Sequence, residues 1–388
     1  MSLLERAAAL LLPAEFDLAL EVDLVDVLFW QGKSVEALRR ADSLAERASA
    51  AGDHVAELCG MVKEAWLRTF RESEDATARL DALVRRALPV FETAGDELAL
   101  HIGYAALARV ALVHGQMDAG LAAYEEAAAH APQVGLPQRL VAWRAVFRIA
   151  GTTPVSEMVA WLDENEPREG RNDWLRAFRA EALAMLGRFD EARAILVETR
   201  KELAERGGGI QLAHAYLSSV EVERLGSDPD AAAEFGAEAC RLFEELEEQN
   251  MLSGAAGQLA QALYALGRLD EADAWARRSA ELGASDDVIT QMLWRQARAK
   301  VHARRGDNAA AESLARDAVA MCDTTDMLDV QGDAYADLGE VLCLAGRPGE
   351  AVAALEQALD RYERKGNLVS AGRTRERIAK LRGIPEDA

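Results

Sequence analysis

Aromatic residues make up only 6% of the 388-residue chain, and no stretch alternates apolar and polar side chains as a half-buried strand does. Sheet cores draw on aromatic and β-branched side chains. The apolar half of this sequence is instead rich in alanine, which suits close-packed helices. The four cysteines (Cys59, Cys240, Cys322, Cys343) include no C-x-x-C pair. That argues against a disulfide framework or a thiolate zinc site and points to reduced, buried thiols in the cytoplasm. The most apolar N-terminal run, "AAALLLPA", is too short to span a bilayer, and "LLER" before it is not the basic start of a signal peptide. Basic residues are outnumbered 44 to 66, leaving a net charge of −22. Such a balance opposes nonspecific binding to nucleic acid or anionic membrane.

Signatures of catalysis are equally scarce. "GKS" at Gly32–Ser34 hints at a phosphate loop, but that motif needs a glycine where Val27 stands and a strand where "LVDVLFWQ" continues a helical stripe. The six histidines form no H-x-x-x-H or H-E-x-x-H pair, and no G-x-S-x-G elbow occurs. Acidic pairs such as Glu125–Glu126 and Glu244–Glu245 read as solvated helix faces. The expectation is a non-enzyme with no cofactor and no metal.

What the chain does contain is a repeat, the first thing to seek in any sequence. "LGRFDEAR" (186–193) returns as "LGRLDEAD" (266–273), and both belong to a longer series. Glycines closing a helical apolar stripe stand at Gly32, Gly115, Gly151, Gly187, Gly226, Gly267, Gly306 and Gly346. From Gly115 onward the steps are 36, 36, 39, 41, 39 and 40 residues, and the first gap of 83 holds a missing marker near 71–73. Nine units of about forty residues follow, each a pair of helices. The glycine suits a left-handed residue just past a helix end. Acids such as Asp190, Glu191, Asp270 and Glu271 suit the next helix's positive end. A small residue five positions on (Ala37, Ala192, Ala231, Ala272, Ala311, Ala351) lets the two helices approach closely.

In the last full unit, Tyr335, Leu338, Gly339, Leu342, Gly346, Pro348, Ala351, Leu355 and Ala358 resemble the spaced positions of the tetratricopeptide repeat. The likeness runs from about Phe16 to Leu381, with units longer than the family's norm. It implies an all-α, right-handed superhelical solenoid of about nine helix-turn-helix repeats plus a capping helix at 368–382. The ends of the chain also resemble the tetratricopeptide regions of large bacterial signalling proteins, in which a signal-transduction ATPase precedes the repeats. That likeness implies a sensor or scaffold arm acting in the cytoplasm with an ATPase or effector domain. The short, polar stretch 151–173 suggests a joint between a sub-array at 1–171 and another at 172–388.

The resemblance further implies that the first helix of each unit lines a concave groove. Those helices carry Trp66, Tyr104, Trp143, Trp174, Tyr216, Tyr264, Trp294 and Tyr335. Packing between helices accounts for many of them, and a few are expected to grip a peptide in the groove. Arg109 and Arg144 lie close in sequence to Tyr104 and Trp143. The acid-free run 288–306 holds Arg295, Arg298, Lys300, Arg304 and Arg305, a local +5. These cations either anchor an acidic partner or pair with neighbouring acidic helices. The expected groove set is Tyr104, Arg109, Trp143, Arg144, Trp174, Tyr216, Tyr264, Trp294, Arg295 and Arg298. The expected function is a protein- or peptide-binding scaffold. Self-assembly into homo-oligomers through complementary charge and sensing of a small molecule are the alternatives.

Overall fold

In a computed structural model, the structure describes residues 17–71, 75–131, 140–169 and 172–383. Among them are nineteen α-helices and no strand. Nine successive pairs form the repeats. They are α1 (Leu18–Trp30) with α2 (Ser34–Ala51), α3 (His54–Arg71) with α4 (Ala76–Ala94), and α5 (Glu97–Val113) with α6 (Met117–His130). Then come α7 (Leu140–Ala150) with α8 (Val155–Glu169), α9 (Asp173–Met185) with α10 (Phe189–Glu205), and α11 (Ile210–Gly226) with α12 (Pro229–Glu245). The last three are α13 (Gln249–Ala265) with α14 (Leu269–Leu282), α15 (Val288–Arg304) with α16 (Asn308–Cys322), and α17 (Leu328–Leu344) with α18 (Pro348–Lys365). A single helix, α19 (Leu368–Arg382), caps the array. The whole is a right-handed tetratricopeptide-type superhelix. No helix of the described residues is long and apolar enough to cross a membrane.

The hairpin turns follow the sequence logic with one shift of register. Gly32, Gly115, Gly187, Gly267, Gly306 and Gly346 have φ between +68° and +84°. In the sixth repeat Gly226 is still helical, and Ser227 takes the left-handed position instead (φ 59°). The packing alanine moves with it: Ala232 is buried at 1%, while Ala231 is only partly covered. Gly151 is not left-handed either; its N–H closes the last turn of α7 on the Phe147 carbonyl. Of the missing marker's expected place near 71–73, Arg71 ends α3 and residues 72–73 lie outside the described residues. Ala37, Ala192, Ala272, Ala311 and Ala351 are fully buried, as close helix contact requires.

The superhelix closes on itself. The hairpin turn of repeat 1 meets the loop after repeat 6, where a Cβ on Gly32 would strike the Leu246 side chain. The turn of repeat 3 meets the loop after repeat 8. There Asp326 accepts from Met117 N (2.6 Å) and Asp118 N (2.7 Å), while its own N–H donates to the Gly115 carbonyl (3.2 Å). The turn of repeat 4 meets the loop after repeat 9. Lys365 Nζ donates there to the carbonyls of Arg148 (3.0 Å), Gly151 (2.8 Å) and Thr153 (2.8 Å). Each contact spans an offset of five repeats, so one superhelical turn rests on the next.

These contacts are helix caps supplied from a distance. The N-cap residue of α6, Gln116, makes no capping bond with its side chain, and Asp326 fills that role. A carboxylate belongs at a helix N-terminus and an ammonium at a C-terminus, where orphan N–H and C=O groups and the dipole favour them. Lys365 does the second job for α7. Arg373 of the cap helix does it for α11, donating to the Arg224 carbonyl (3.3 Å) and to that of Leu225.

Candidate functional site

Closure turns the concave face of the first superhelical turn into the wall of a chamber of about 730 Å³. Its lining comes from the first helices of repeats 1 to 4, Tyr124 of α6, the start of α9, and the segment from Leu203 to Gln211 that joins α10 to α11. Four tryptophans converge on it: Trp30, Trp66, Trp143 and Trp174. Trp30 stands between Trp143 (ring centroids 6.1 Å apart) and Trp174 (5.8 Å), linking repeat 1 to repeats 4 and 5. Edge-on and tilted geometries of this kind suit aromatic quadrupoles and build a stiff wall.

The charged groups of the wall come in pairs. Asp26 of α1 pairs with Lys63 of α3. Asp173 at the start of α9 accepts from Arg206 Nη2 at 2.7 Å. Arg109 is 7% exposed and lies over the Phe70 ring, 4.0 Å from its centroid. Its Nε donates to Thr69 Oγ1 (3.0 Å) and its Nη2 to Asn250 Oδ1 (3.2 Å), across the seam between superhelical turns. Burial pulls this guanidinium down to about 10, against the attraction of Asp287 and Glu248. His101 shares Nδ1–H with the Ala127 carbonyl (3.0 Å), which leaves Nε2 as the acceptor of its neutral ring. Burial lowers its pKa, against the raising effect of that hydrogen bond.

Of the residues singled out in the sequence, Trp66, Arg109, Trp143 and Trp174 line the chamber. The others lie elsewhere. Tyr104 stacks on His130 and points its hydroxyl at Glu92. Arg144 pairs with Glu125 at 2.8 Å. Tyr216 packs beside Arg200 and Phe235. Tyr264 is bracketed by Glu340, which accepts from its hydroxyl, and Arg304, which donates to it. Trp294 donates its indole N–H to Gln291 and carries Arg295 over its ring at 4.1 Å.

Arg298 is held by Asp273 (3.1 Å), Arg305 by Asp270 (2.5 Å), and Lys300 by Asp337 (2.9 Å). Four of the five cations of the basic run thus pair with acids of the flanking repeats, Arg304 with Glu340 among them, while Arg295 lies over Trp294. Trp30, Asp26 and Lys63 are chamber residues that the sequence reading passed over, and His101 one that it weighed only among the six histidines. Trp30 sits just before "GKS" and reads there as part of a packing stripe. Its one signal is that it ends a first helix, the position closest to the next superhelical turn.

Among the described residues no group of three or more His, Cys, Asp or Glu side chains is placed to hold a metal. Cys59, Cys240 and Cys322 are buried, and burial pushes the Cys240 and Cys322 thiols up to about 12. Thiols held that high carry almost no thiolate at neutral pH.

Residues 253–283 and 332–365 match the tetratricopeptide-repeat family model. No curated relative matches the sequence significantly. Among solved structures, a human IFIT1 dimer with m7Gppp-AAAA shares 11% identity, with 95% of this chain and 91% of that one covered and a TM-score of 0.53. A Rap protein complexed with competence and sporulation factor shares 11%, covering 96% and 98%, at a TM-score of 0.48. A signal-transduction ATPase with a tetratricopeptide-repeat sensor, from Pyrococcus horikoshii, shares 11%, covering 78% of this chain and 50% of that one, at a TM-score of 0.46. At such identities the likeness is one of fold.

Proposed function

We propose that this chain, a tetratricopeptide-repeat protein, is a non-catalytic scaffold whose inner chamber takes a compact ligand and whose outer surface docks a partner protein. The observation that carries this reading is the chamber itself. It is walled by four tryptophans and two acid–base pairs, on a superhelix braced by contacts five repeats apart. Its size, about 730 Å³, is that of a small-molecule site or a peptide of a few residues rather than an extended chain. A ligand bridging repeats 1, 4 and 5 binds only one spacing of those repeats well, so it shifts the population of closed superhelix. The closed form then presents a fixed outer surface to an ATPase or effector domain of a bacterial signalling system, in the cytoplasm. The stretch 151–173, where the sub-arrays 1–171 and 172–388 join, is the proposed flexing point. The charge of −22 argues against nucleic acid or anionic membrane as partner.

Native mass spectrometry of the purified chain, followed by release under denaturing conditions, tests the first half. Small-angle scattering before and after release tests the second. The reading expects a bound species that Trp143→Ala and Trp174→Ala lose, and larger dimensions once it has gone. A wild type and variants that carry the same species, with unchanged dimensions on its release, would sink it.

A further inference from the structure

On the α5–α6 side of the chamber, a phenol and an imidazole face the space with hydrogen-bonding capacity unused. Tyr124 of α6 is 6% exposed, its ring packed against Trp143 (centroids 6.4 Å apart) and Phe147 (6.1 Å). Its hydroxyl makes no hydrogen bond with the described residues and is not sealed inside the protein. The space it reaches is the chamber, which Tyr124 lines. Burial and the nearby Asp26 carboxylate hold the phenol proton in place, so the group stays a donor.

His101 of α5 supplies the complementary group. Its Nδ1–H is committed to the carbonyl of Ala127, one helical turn after Tyr124, so imidazole and phenol hold neighbouring places on the wall. Nε2 carries the free lone pair, meets no donor among the described residues and is not sealed off either. Burial keeps this ring neutral, and Asp26 of α1 acts on both rings.

The charges of the lining, by contrast, are already met. Asp26 pairs with Lys63 and Asp173 with Arg206, while Arg109 donates to Thr69 and Asn250. Apart from His101 these are all the ionisable acids and bases of the lining. An ionic ligand would therefore lose its hydration in a tryptophan-walled space without finding a free counter-ion. An uncharged ligand with one donor and one acceptor meets what the wall leaves open, and buried polar groups are rarely left unmet.

We propose that the chamber recognises an uncharged, planar aromatic ligand with a lactam or primary carboxamide edge, its N–H beside its C=O. This deepens the reading of the chamber as the ligand site and rests on it. The ligand N–H donates to His101 Nε2, and its carbonyl accepts from the Tyr124 hydroxyl. The ring system lies against Trp143 and Trp30. A trans peptide bond points its N–H and C=O in opposite directions and cannot use both groups at once. The edge thus selects a compact, ring-borne amide over an extended peptide. An analogue without the N–H leaves His101 desolvated and unpaired, which is the basis of discrimination.

Calorimetric titration of the full chain tests this with the bicyclic lactams carbostyril and isocarbostyril as probes. Their N-methyl derivatives, which lack the N–H, and the anion quinaldate are matched controls. The proposal expects at least one lactam to bind at least tenfold more tightly than its N-methyl form and than quinaldate. In His101→Phe the preference over the N-methyl form disappears, while affinity for that form stays at the wild-type value and so reports an intact chamber. Tyr124→Phe weakens lactam and N-methyl form alike and keeps the preference, because both retain the carbonyl. Trp143→Ala weakens every probe and also keeps the preference. N-methyl forms that bind as tightly as the lactams overturn the proposal, as does a His101→Phe variant that keeps the preference. Failure of both lactams at millimolar concentration overturns it as well. Quinaldate binding more tightly than either lactam, or a co-purified ionic ligand released from the chamber, overturns it yet leaves the chamber's role as a ligand site standing.

Discussion

Glu248 sits at the seam between superhelical turns, fully buried at the start of α13, and neither of its carboxylate oxygens meets a hydrogen-bond donor. Burial raises its pKa from 4.5 to about 7, against the lowering influence of Ser34, Arg71 and Arg109. The folded chain therefore holds this proton more tightly than the unfolded chain. Its contribution to stability is complete below about pH 4.5 and is lost as the pH rises through about 7. A rise of that size corresponds to about 3 kcal/mol against the ionised form, at 1.36 kcal/mol per pH unit. Replacing the carboxylate with a neutral amide removes that penalty but forfeits the attraction of the two arginines. Glu248→Gln should accordingly stabilise the protein by about 1–2 kcal/mol at pH 8 and leave it nearly unchanged at pH 5.

Urea unfolding at the two pH values, followed by circular dichroism, measures the effect. Hydrogen exchange in the first turn of α13 reports it locally, since a repeat array need not unfold in one step. A variant less stable than the wild type at pH 8 would refute the reasoning. It would mean that Glu248 works as a paired anion.

Lys365→Met deletes a fully buried ammonium and strands three carbonyls, one in the last turn of α7 and two in the turn after it. It should cost about 3–5 kcal/mol in urea unfolding, with hydrogen exchange accelerated at the end of α7. Unchanged protection there would contradict the capping role. Gly346→Ala and Gly32→Ala place the same left-handed strain (φ +75° and +76°), but only at Gly32 does the new methyl strike Leu246 across the seam. Gly32→Ala should therefore cost about 1–3 kcal/mol more than its counterpart; equal melting shifts would show that the seam does not form. In thiol titration of the native protein, Cys343 should react first, with Cys59, Cys240 and Cys322 reacting only on unfolding, because they alone are buried. Four equally fast thiols would contradict the packing.

The hairpin array was readable because its determinants are local and repeat. A left-handed glycine, a small residue five positions on and acids at the next helix start are all short-range requirements. The slip at Gly226 shows the limit of such reading, since Ser227 can take a left-handed turn that glycine usually takes. Closure was not readable. Asp326 and Lys365 look like ordinary surface charges in a sequence rich in both, and their partners lie five repeats away with no periodic mark. Trp143, Trp174 and Arg109 could be nominated for the concave face, but which aromatics reach it depends on helix phase. Tyr104 is turned between α4 and α6, where Glu92 and His130 engage it. Trp30 reaches the chamber only because the superhelix brings the end of α1 back against repeats 4 and 5.

A cap that arrives from 209 residues downstream has a temporal side. At about 5–20 residues per second, the ribosome needs about 10–40 s to deliver Asp326 after the start of α6 has been made. During that interval the early repeats carry bare helix ends and an unroofed tryptophan wall. Solenoids are usually regarded as additive stacks that can be shortened one unit at a time. Here removal of the last two repeats and the cap would take away the ends on which the third and fourth repeats depend, so damage to the tail is felt near the head.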